Sequence, residues 1–265
     1  MTQSERMDYL ISYLSKEQGR AKEILFPDDE ESRRKLLRSL MNVRMPKDIS
    51  EDFLKIQDEY LKKEMEEKGI TDLDDLKPVK DDIYLWKGDI TTLKADAIVN
   101  AANSAMLGCF VPGHNCIDNC IHTYAGVQLR NECNRKMEEL RSQYGVNYVQ
   151  PAAVPLLTDA YNLPAKKVIH IVGPIVDGKL NSVHEELLEK CYRSCLDMAK
   201  ENELRSIAFC CISTGVFMFP QDKAAKIATD TVNRWLKENG SIKVVFNVFN
   251  DTDFRIYHEL LNKRS

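Results

Sequence analysis

Val168-Ile169-His170-Ile171-Val172, stopped by Gly173-Pro174, is the stretch on which the fold of this chain turns. Apolar side chains occupy both of its alternating faces, as expected of a strand covered on two sides. Three other runs repeat the theme: Ala97-Ile98-Val99 ends at Asn100, Ile207-Ala208-Phe209-Cys210-Cys211-Ile212 at Ser213-Thr214-Gly215, and Val244-Val245-Phe246-Asn247-Val248-Phe249 at Asn250-Asp251. Helical patterns fall between them. Ser182 followed by Glu185 forms a capping box, and Val183, Leu187, Cys191, Cys195 and Met198 trace one buried stripe behind it. Pro220 suits the first turn of the next helix and Gly240 its end, with Ile227, Val232, Trp235 and Leu236 as apolar faces. A last helix is expected over about 253 to 261. Strand–helix alternation of this kind predicts an α/β fold, a three-layer α/β/α sandwich with a central mixed sheet. Ligands of such folds lie beyond the carboxyl ends of the strands, and the most distinctive polar segments here follow strand ends.

Upstream the texture changes. Residues 1–75 are rich in Glu, Lys, Arg and Leu and poor in glycine. Leu10, Ile11 and Leu14 have helical spacing, as do Phe53, Ile56, Tyr60 and Leu61, while Pro27 and Pro46 punctuate the segment. The pattern predicts an N-terminal extension of several helices over 1–75, a polar link around 72–80, and a main domain over 76–265. No constellation of catalytic residue types occurs in the extension, so it reads as a stabilising cap.

Length and composition bound the function. At 265 residues the chain exceeds the roughly 100–200 of one ordinary domain. Its net charge of −4, with both signs mixed, argues against a general nucleic-acid binder, which needs a basic stripe against phosphates. A single anionic small molecule remains compatible, because backbone N–H groups hold phosphate without net positive charge. No apolar run approaches the roughly 20 residues of a membrane span, and no signal-peptide pattern opens the chain. A cytoplasmic location is expected, and with it eight cysteines that are thiols or metal ligands.

Two of those cysteines stand together with a histidine. Cys109, His114 and Cys116 form a Cys-x4-His-x-Cys set, with Gly108, Pro112 and Gly113 among them to let the loop fold around an ion. Thiolate and imidazole suit zinc, and three protein ligands leave a coordination position open, as catalytic zinc sites do. Two buried cysteines beside a loop histidine would have the same spacing. Cys120, one helical turn after Cys116, is either a fourth ligand that would close the site or a packing residue, and packing is favoured. His122, between Ile121 and Tyr124, reads as structural.

Four segments, in order, carry a resemblance to a known family. Gly88-Asp89-Ile90-Thr91 with Asp96-Ala97-Ile98-Val99-Asn100-Ala101-Ala102-Asn103 resembles the opening signature of macrodomains. Tyr161-Asn162-Leu163-Pro164-Ala165-Lys166-Lys167-Val168-Ile169-His170 and Val172-Gly173-Pro174 resemble the middle, and Ile212-Ser213-Thr214-Gly215-Val216-Phe217 with Phe219-Pro220 the second phosphate loop. The likeness covers roughly residues 83–261. Where most macrodomains carry a glycine run, this chain has Gly113-His114-Asn115-Cys116-Ile117-Asp118-Asn119-Cys120-Ile121-His122, which is similar to the zinc-dependent branch, as is the extension with Leu37-Arg38-Ser39-Leu40-Met41-Asn42-Val43-Arg44. Two departures bear on the cleft: Met218 stands where glycine is common, and Ala152-Ala153 where a Thr-Gly-like pair is common.

The resemblance implies a hydrolase that removes ADP-ribose from mono-ADP-ribosylated proteins, with ester links to Asp or Glu favoured. One catalytic zinc ion would be held by Cys109, His114 and Cys116. Asp89 would accept from the adenine amino group, with the Ile90 backbone fixing the base. Phe249 would stack on the adenine or else fill the core. Asn103 would bond the ribose, and Ser213, Thr214, Gly215, Val216 and Phe217 would surround the diphosphate. Asp118 would orient water or act as base, or serve as a helix N-terminal carboxylate. The expected partners are ADP-ribose and the modified protein, with no nucleic acid, no membrane, and a monomeric chain. A reader module that binds ADP-ribose without cleaving it, and a deacylase of O-acyl-ADP-ribose, are the competing classes.

Overall fold

The computed structural model describes residues 1–19 and 27–263. Three helices open the chain: α1 (Gln3–Glu17), α2 (Glu30–Val43) and α3 (Glu51–Lys68). Each begins at a residue whose side chain can accept an orphan N–H. Thr2 and Glu5 form a reciprocal capping box, while Asp29 accepts from Ser32 and Ser50 from Phe53. The rest alternates β1 (Thr71–Asp72), β2 (Ile83–Lys87), β3 (Leu93–Lys94), β4 (Ala97–Ala101), α4 (Ile117–Ala125), α5 (Val127–Tyr144), β5 (Leu156–Asp159), β6 (Lys167–Ile171), α6 (Ser182–Glu201), β7 (Ser206–Phe209), α7 (Gln221–Asn239), β8 (Lys243–Val248) and α8 (Asp251–Asn262).

Six strands form one sheet in the order β2-β8-β7-β4-β6-β5, parallel except for β5, which runs antiparallel to β6. From β4 the chain travels to β6 in one direction; from β6 it returns past β4 to β7 and on to β8. Right-handed crossovers in opposite directions place their helices on opposite faces. Thus α4 and α5 pack together on one side and α6, α7 and α8 on the other, giving the expected three-layer sandwich with a mixed sheet. The direction of travel reverses at the β4–β7 pair, so a crevice opens there beyond the carboxyl ends.

The four quoted apolar runs all became central strands, buried along most of their length. Local details differ from expectation. The box before α6 is closed by Asn181 and His184, one residue earlier than Ser182 and Glu185. Val183 faces outward, 59% exposed; Cys191 and Cys195 of the expected stripe are buried, Leu187 and Met198 pack partly buried against the core, and Leu188, Tyr192, Leu196 and Ala199 complete the buried face. Pro220 stands just before α7 and Gly240 caps its end. Helix α8 starts at Asp251, two residues early, because Asn250 accepts from the Asp253 amide.

The extension has its own apolar cluster of Met7, Leu10, Ile11, Leu14, Leu37, Leu40, Phe53, Tyr60 and neighbours, and Val127 of α5 belongs to it. The link is less free than its composition implies: β1 pairs with β3, and Leu73 is buried in the main core. Among the described residues, no helix is long and apolar enough to cross a membrane.

Candidate active site

The segments leaving four neighbouring strands carry the expected binding residues in spatial order. Asp89 follows β2, Phe249 follows β8, residues 213–217 follow β7 and Asn103 follows β4. Strands about 4.8 Å apart make this row roughly 14 Å long. At one end, the Gly88 amide donates to the Val248 carbonyl and so sets Asp89 beside Phe249. Asp89 caps a 3-10 turn over Ile90–Thr92: its Oδ1 accepts from the Thr91 amide (3.0 Å) and hydroxyl (2.6 Å). Its Oδ2 accepts from Lys68 Nζ at 3.0 Å. Burial works to raise the carboxyl pKa, but the Thr91 bonds and the Lys68 ammonium together outweigh it and hold the pKa below the usual value. Ile90 is buried beneath. Phe249 is 80% exposed, because β8 ends at Val248; a core role for it is thereby corrected.

The β7 loop is built for close approach. Ser213 has φ +65° and Met218 φ +54°, both in the region that favours glycine. Met218 therefore occupies a position whose backbone asks for glycine, and its side chain escapes strain with its neighbours by lying exposed. Among the described residues, the amides of Gly215, Val216 and Phe217 have no acceptor, so three consecutive N–H groups are free for an anion. The Ser213 hydroxyl is buried without a partner among the described residues. Gly173, beyond β6, lies under it: a Cβ there would come within 2.1 Å of Ser213 Oγ.

At the far end of the row stands Asp118, in the first turn of α4 and only 5% exposed. Its Oδ1 accepts from Asn100 Nδ2 at 2.8 Å and its Oδ2 from Asn103 Nδ2 at 3.3 Å. Burial pushes its pKa up to about 6, against the pull of the Asn100 bond and the Arg130 charge. Asn103 is further fixed by donating to the Gly108 carbonyl and accepting from the Ala105 amide. Asn100 was not singled out in the sequence. It pairs across the sheet with His170, and its Nδ2 lies 3.0 Å from His170 Nδ1.

Immediately before Asp118, the donor atoms of Cys109, His114 and Cys116 lie within 4.8 Å of one another, with Cys109 Sγ 3.7 Å from His114 Nδ1. Cys116 is also the N-cap of α4, its sulfur accepting from the Asn119 amide at 3.4 Å. Burial, reinforced by the adjacent Cys109 thiol, pushes the Cys116 pKa up to about 12. Two thiols and an imidazole brought this close together form a donor set that a divalent cation would hold with the thiols deprotonated, so the set fits zinc chemically. Cys120 is not part of the cluster; its sulfur faces Arg38 Nη2 at 3.6 Å. All eight cysteines are free thiols.

A second group, His122, Cys133 and His170, also brings its donors within 4.8 Å. An amide nitrogen only donates, so Asn100 fixes His170 Nδ1 as acceptor, and Nε2–H then donates to Thr158 Oγ1 at 2.9 Å. No lone pair of His170 is left for a metal. His122 is buried behind Gly108, as its structural reading expects.

A mixed sheet between two helical layers, with a crevice beyond the carboxyl ends of its strands, defines a fold of the macrodomain type. The family model described as "Macro domain" matches residues 99–228. The chain is 52% identical to a protein-ADP-ribose hydrolase of Treponema medium, over 99% of this chain and 100% of that one. It is 47% identical to a protein-ADP-ribose hydrolase of Staphylococcus aureus strain Mu50, over 97% and 96% respectively. Among solved structures, the Trypanosoma brucei macrodomain in complex with ADP-ribose superposes with a TM-score of 0.64 at 30% identity, covering 85% of this chain and 95% of that one. The chain belongs to the macrodomain family.

Proposed function

We propose that this chain hydrolyses the bond joining ADP-ribose to a protein side chain, an ester to Asp or Glu, with zinc at Cys109, His114 and Cys116. The observation that carries the reading is the buried Asp118 carboxylate, held by Asn100 and Asn103 two residues beyond the last of three metal donors. Similarity to hydrolases over nearly the whole chain supports an enzyme over a reader. Bound zinc would supply a Lewis acid and would lower the pKa of water from 15.7 toward roughly 7.

The chain's own residues divide the work along the row. Asp89 accepts from the adenine amino group and Phe249 stacks on the base, with the Ile90 backbone at its edge. The free amides over Gly215–Phe217 receive the diphosphate, and the Ser213 and Thr214 side chains flank it. Asn103 orients the distal ribose through its Nδ2, which the substrate displaces from Asp118. Asp118 takes the proton of the attacking water; a carboxylate titrating near 6 is largely ionised at neutral pH yet basic enough to accept it. The chain acts as a monomer in the cytoplasm, with residues 1–75 as an extension and 76–265 as the catalytic domain.

The test is release of ADP-ribose from a mono-ADP-ribosylated protein, run beside O-acyl-ADP-ribose. Asp118→Asn, of the same shape, should lower kcat by about 10²- to 10⁴-fold while zinc content and ADP-ribose affinity stay near wild type. Cys109→Ala, His114→Ala and Cys116→Ala should lose zinc and turnover together. Full turnover in folded, zinc-free variants ends the metal reading; full turnover in Asp118→Asn ends the base assignment.

A further inference from the structure

The loop that carries the three metal donors is shaped from outside itself. Within residues 108–116, the described backbone–backbone hydrogen bonds include a single internal one, from the His114 amide to the Val111 carbonyl; the other internal contact is between the Cys109 and His114 side chains. Apart from the Cys116 carbonyl, which accepts from the Cys120 amide as α4 begins, the loop's other backbone bonds run to side chains, and two of these come from the N-terminal extension, far away in sequence. Arg38 and Asn42 lie one turn apart on α2 and so share a face. Arg38 Nη2 donates to the His114 carbonyl at 2.7 Å and to Asn119 Oδ1 at 3.0 Å. Asn42, 1% exposed, accepts from the Gly113 amide at 2.9 Å and donates to Thr123 Oγ1 at 2.9 Å.

Asn119 passes the grip onward. Its Nδ2 donates to the Cys109 carbonyl (3.3 Å) and the Val111 carbonyl (3.0 Å), and its amide donates to Cys116 Sγ (3.4 Å). Arg130 of α5 ties the same helix to the loop's start: Nη1 donates to the carbonyls of Met41, Asn42 and Arg44 at the end of α2, and Nε donates to Leu107 O at 2.8 Å. All three donor residues are thus held, directly or through Asn119, by a chain of bonds that starts on α2. Groups that orient metal ligands from behind change metal affinity by about 10- to 100-fold when removed.

We propose that Arg38 and Asn42 are positioning residues for the metal loop, making the extension a working part of the site. This rests on the zinc reading above. It goes beyond a stabilising cap because it assigns the two residues an effect on metal geometry that stability alone would not produce.

The test uses the full chain loaded with zinc, and separately with cobalt(II) as a coloured reporter of coordination. Zinc release to a chromogenic chelator should be about 10- to 100-fold faster in Arg38→Met than in wild type, and the cobalt absorption bands should shift. Arg38→Lys, which keeps a donor, should recover part of both. ADP-ribose affinity of the metal-free protein should be unchanged. Arg6→Gln loosens the extension elsewhere, at the Arg6–Glu59 pair, and should release zinc at the wild-type rate. Folded Arg38→Met with wild-type release and bands overturns the proposal. If Arg38→Met does not fold, Asn42→Ala decides by the same two measurements. A wild-type protein that takes up neither zinc nor cobalt overturns the underlying zinc reading instead.

Discussion

Two buried histidines should make this protein lose stability between pH 7.5 and 5, and replacing His170 isolates the effect. His170 is fully buried, donates to Thr158 and accepts from Asn100; burial holds its pKa down at about 3, with a minor push from Lys136. His122, 5.8 Å away between ring centroids, is depressed by burial first, then by His170 and Arg130. His170 is neutral in the folded chain at pH 5, whereas an unfolded histidine with pKa about 6.5 is almost wholly protonated there. The unfolded state binds more protons, so stability falls as pH falls through 6.5, and it keeps falling until the folded pKa is reached. For His170 the loss from pH 7.5 to 5 is about 2 kcal/mol, and His122 adds to it in the same direction. Asp118 acts in the opposite sense. Its folded pKa is raised, so its contribution grows as pH falls through about 6, returning about 1.4 kcal/mol by pH 5. The histidines win. Against a total of about 5–15 kcal/mol the deficit is measurable by urea unfolding at the two pH values. Chelator should be present throughout, so that loss of metal from His114 does not enter. His170→Gln, which keeps a donor toward Thr158, should have a pH-dependent loss smaller than wild type by about 2 kcal/mol. Equal losses in the two proteins would refute the claim that His170 is neutral because it is buried.

Gly173→Ala should push the new Cβ into Ser213 Oγ and displace the β7 loop, weakening ADP-ribose binding about tenfold or more by calorimetry while the zinc content stays at wild type. Wild-type affinity would mean that Ser213 moves without cost. Glu17→Gln should destabilise the protein by about 3–5 kcal/mol in urea, since Arg44 is nearly fully buried and Glu17 holds it through two nitrogens at 2.9 and 3.0 Å. A change under 1 kcal/mol, the size for exposed pairs, would show that the carbonyls of Lys47 and Asp48 suffice for Arg44.

The central sheet was legible because strands covered on both sides leave unbroken apolar runs. Strand β5 was not: Leu156-Leu157-Thr158-Asp159 is a short edge strand with only Thr158 buried, too weak a pattern to stand out. The helix start at Asn181 was misjudged by one residue because Asn181 and Ser182 are both good caps, and only the backbone decides which turns first. In the site, residue types that carry chemistry were legible wherever their neighbours in sequence are also their neighbours in space. Cys109, His114, Cys116 and Asp118 belong to one loop and one helix start, so spacing marked the three donors as candidates and the family resemblance added Asp118.

What holds those groups was hidden for the converse reason. Asn100 and His170 each interrupt an apolar run with a polar side chain, and that interruption was the available signal. A polar side chain inside a strand buried on both faces needs a buried partner. Two strands that each carry one are candidates to be neighbours; here register sets Asn100 opposite His170, and Asn100 in turn reaches Asp118. Arg38 and Asn42 gave no such signal of their own: residues 37–44 stood out only for their likeness to the zinc-dependent branch, and on an amphipathic helix the two look like solvated residues. Their partners are backbone groups of a loop more than seventy residues away, and a backbone carbonyl has no signature in sequence. Chemistry in this chain is therefore written locally, while the geometry that makes it usable is written in pairings between distant segments.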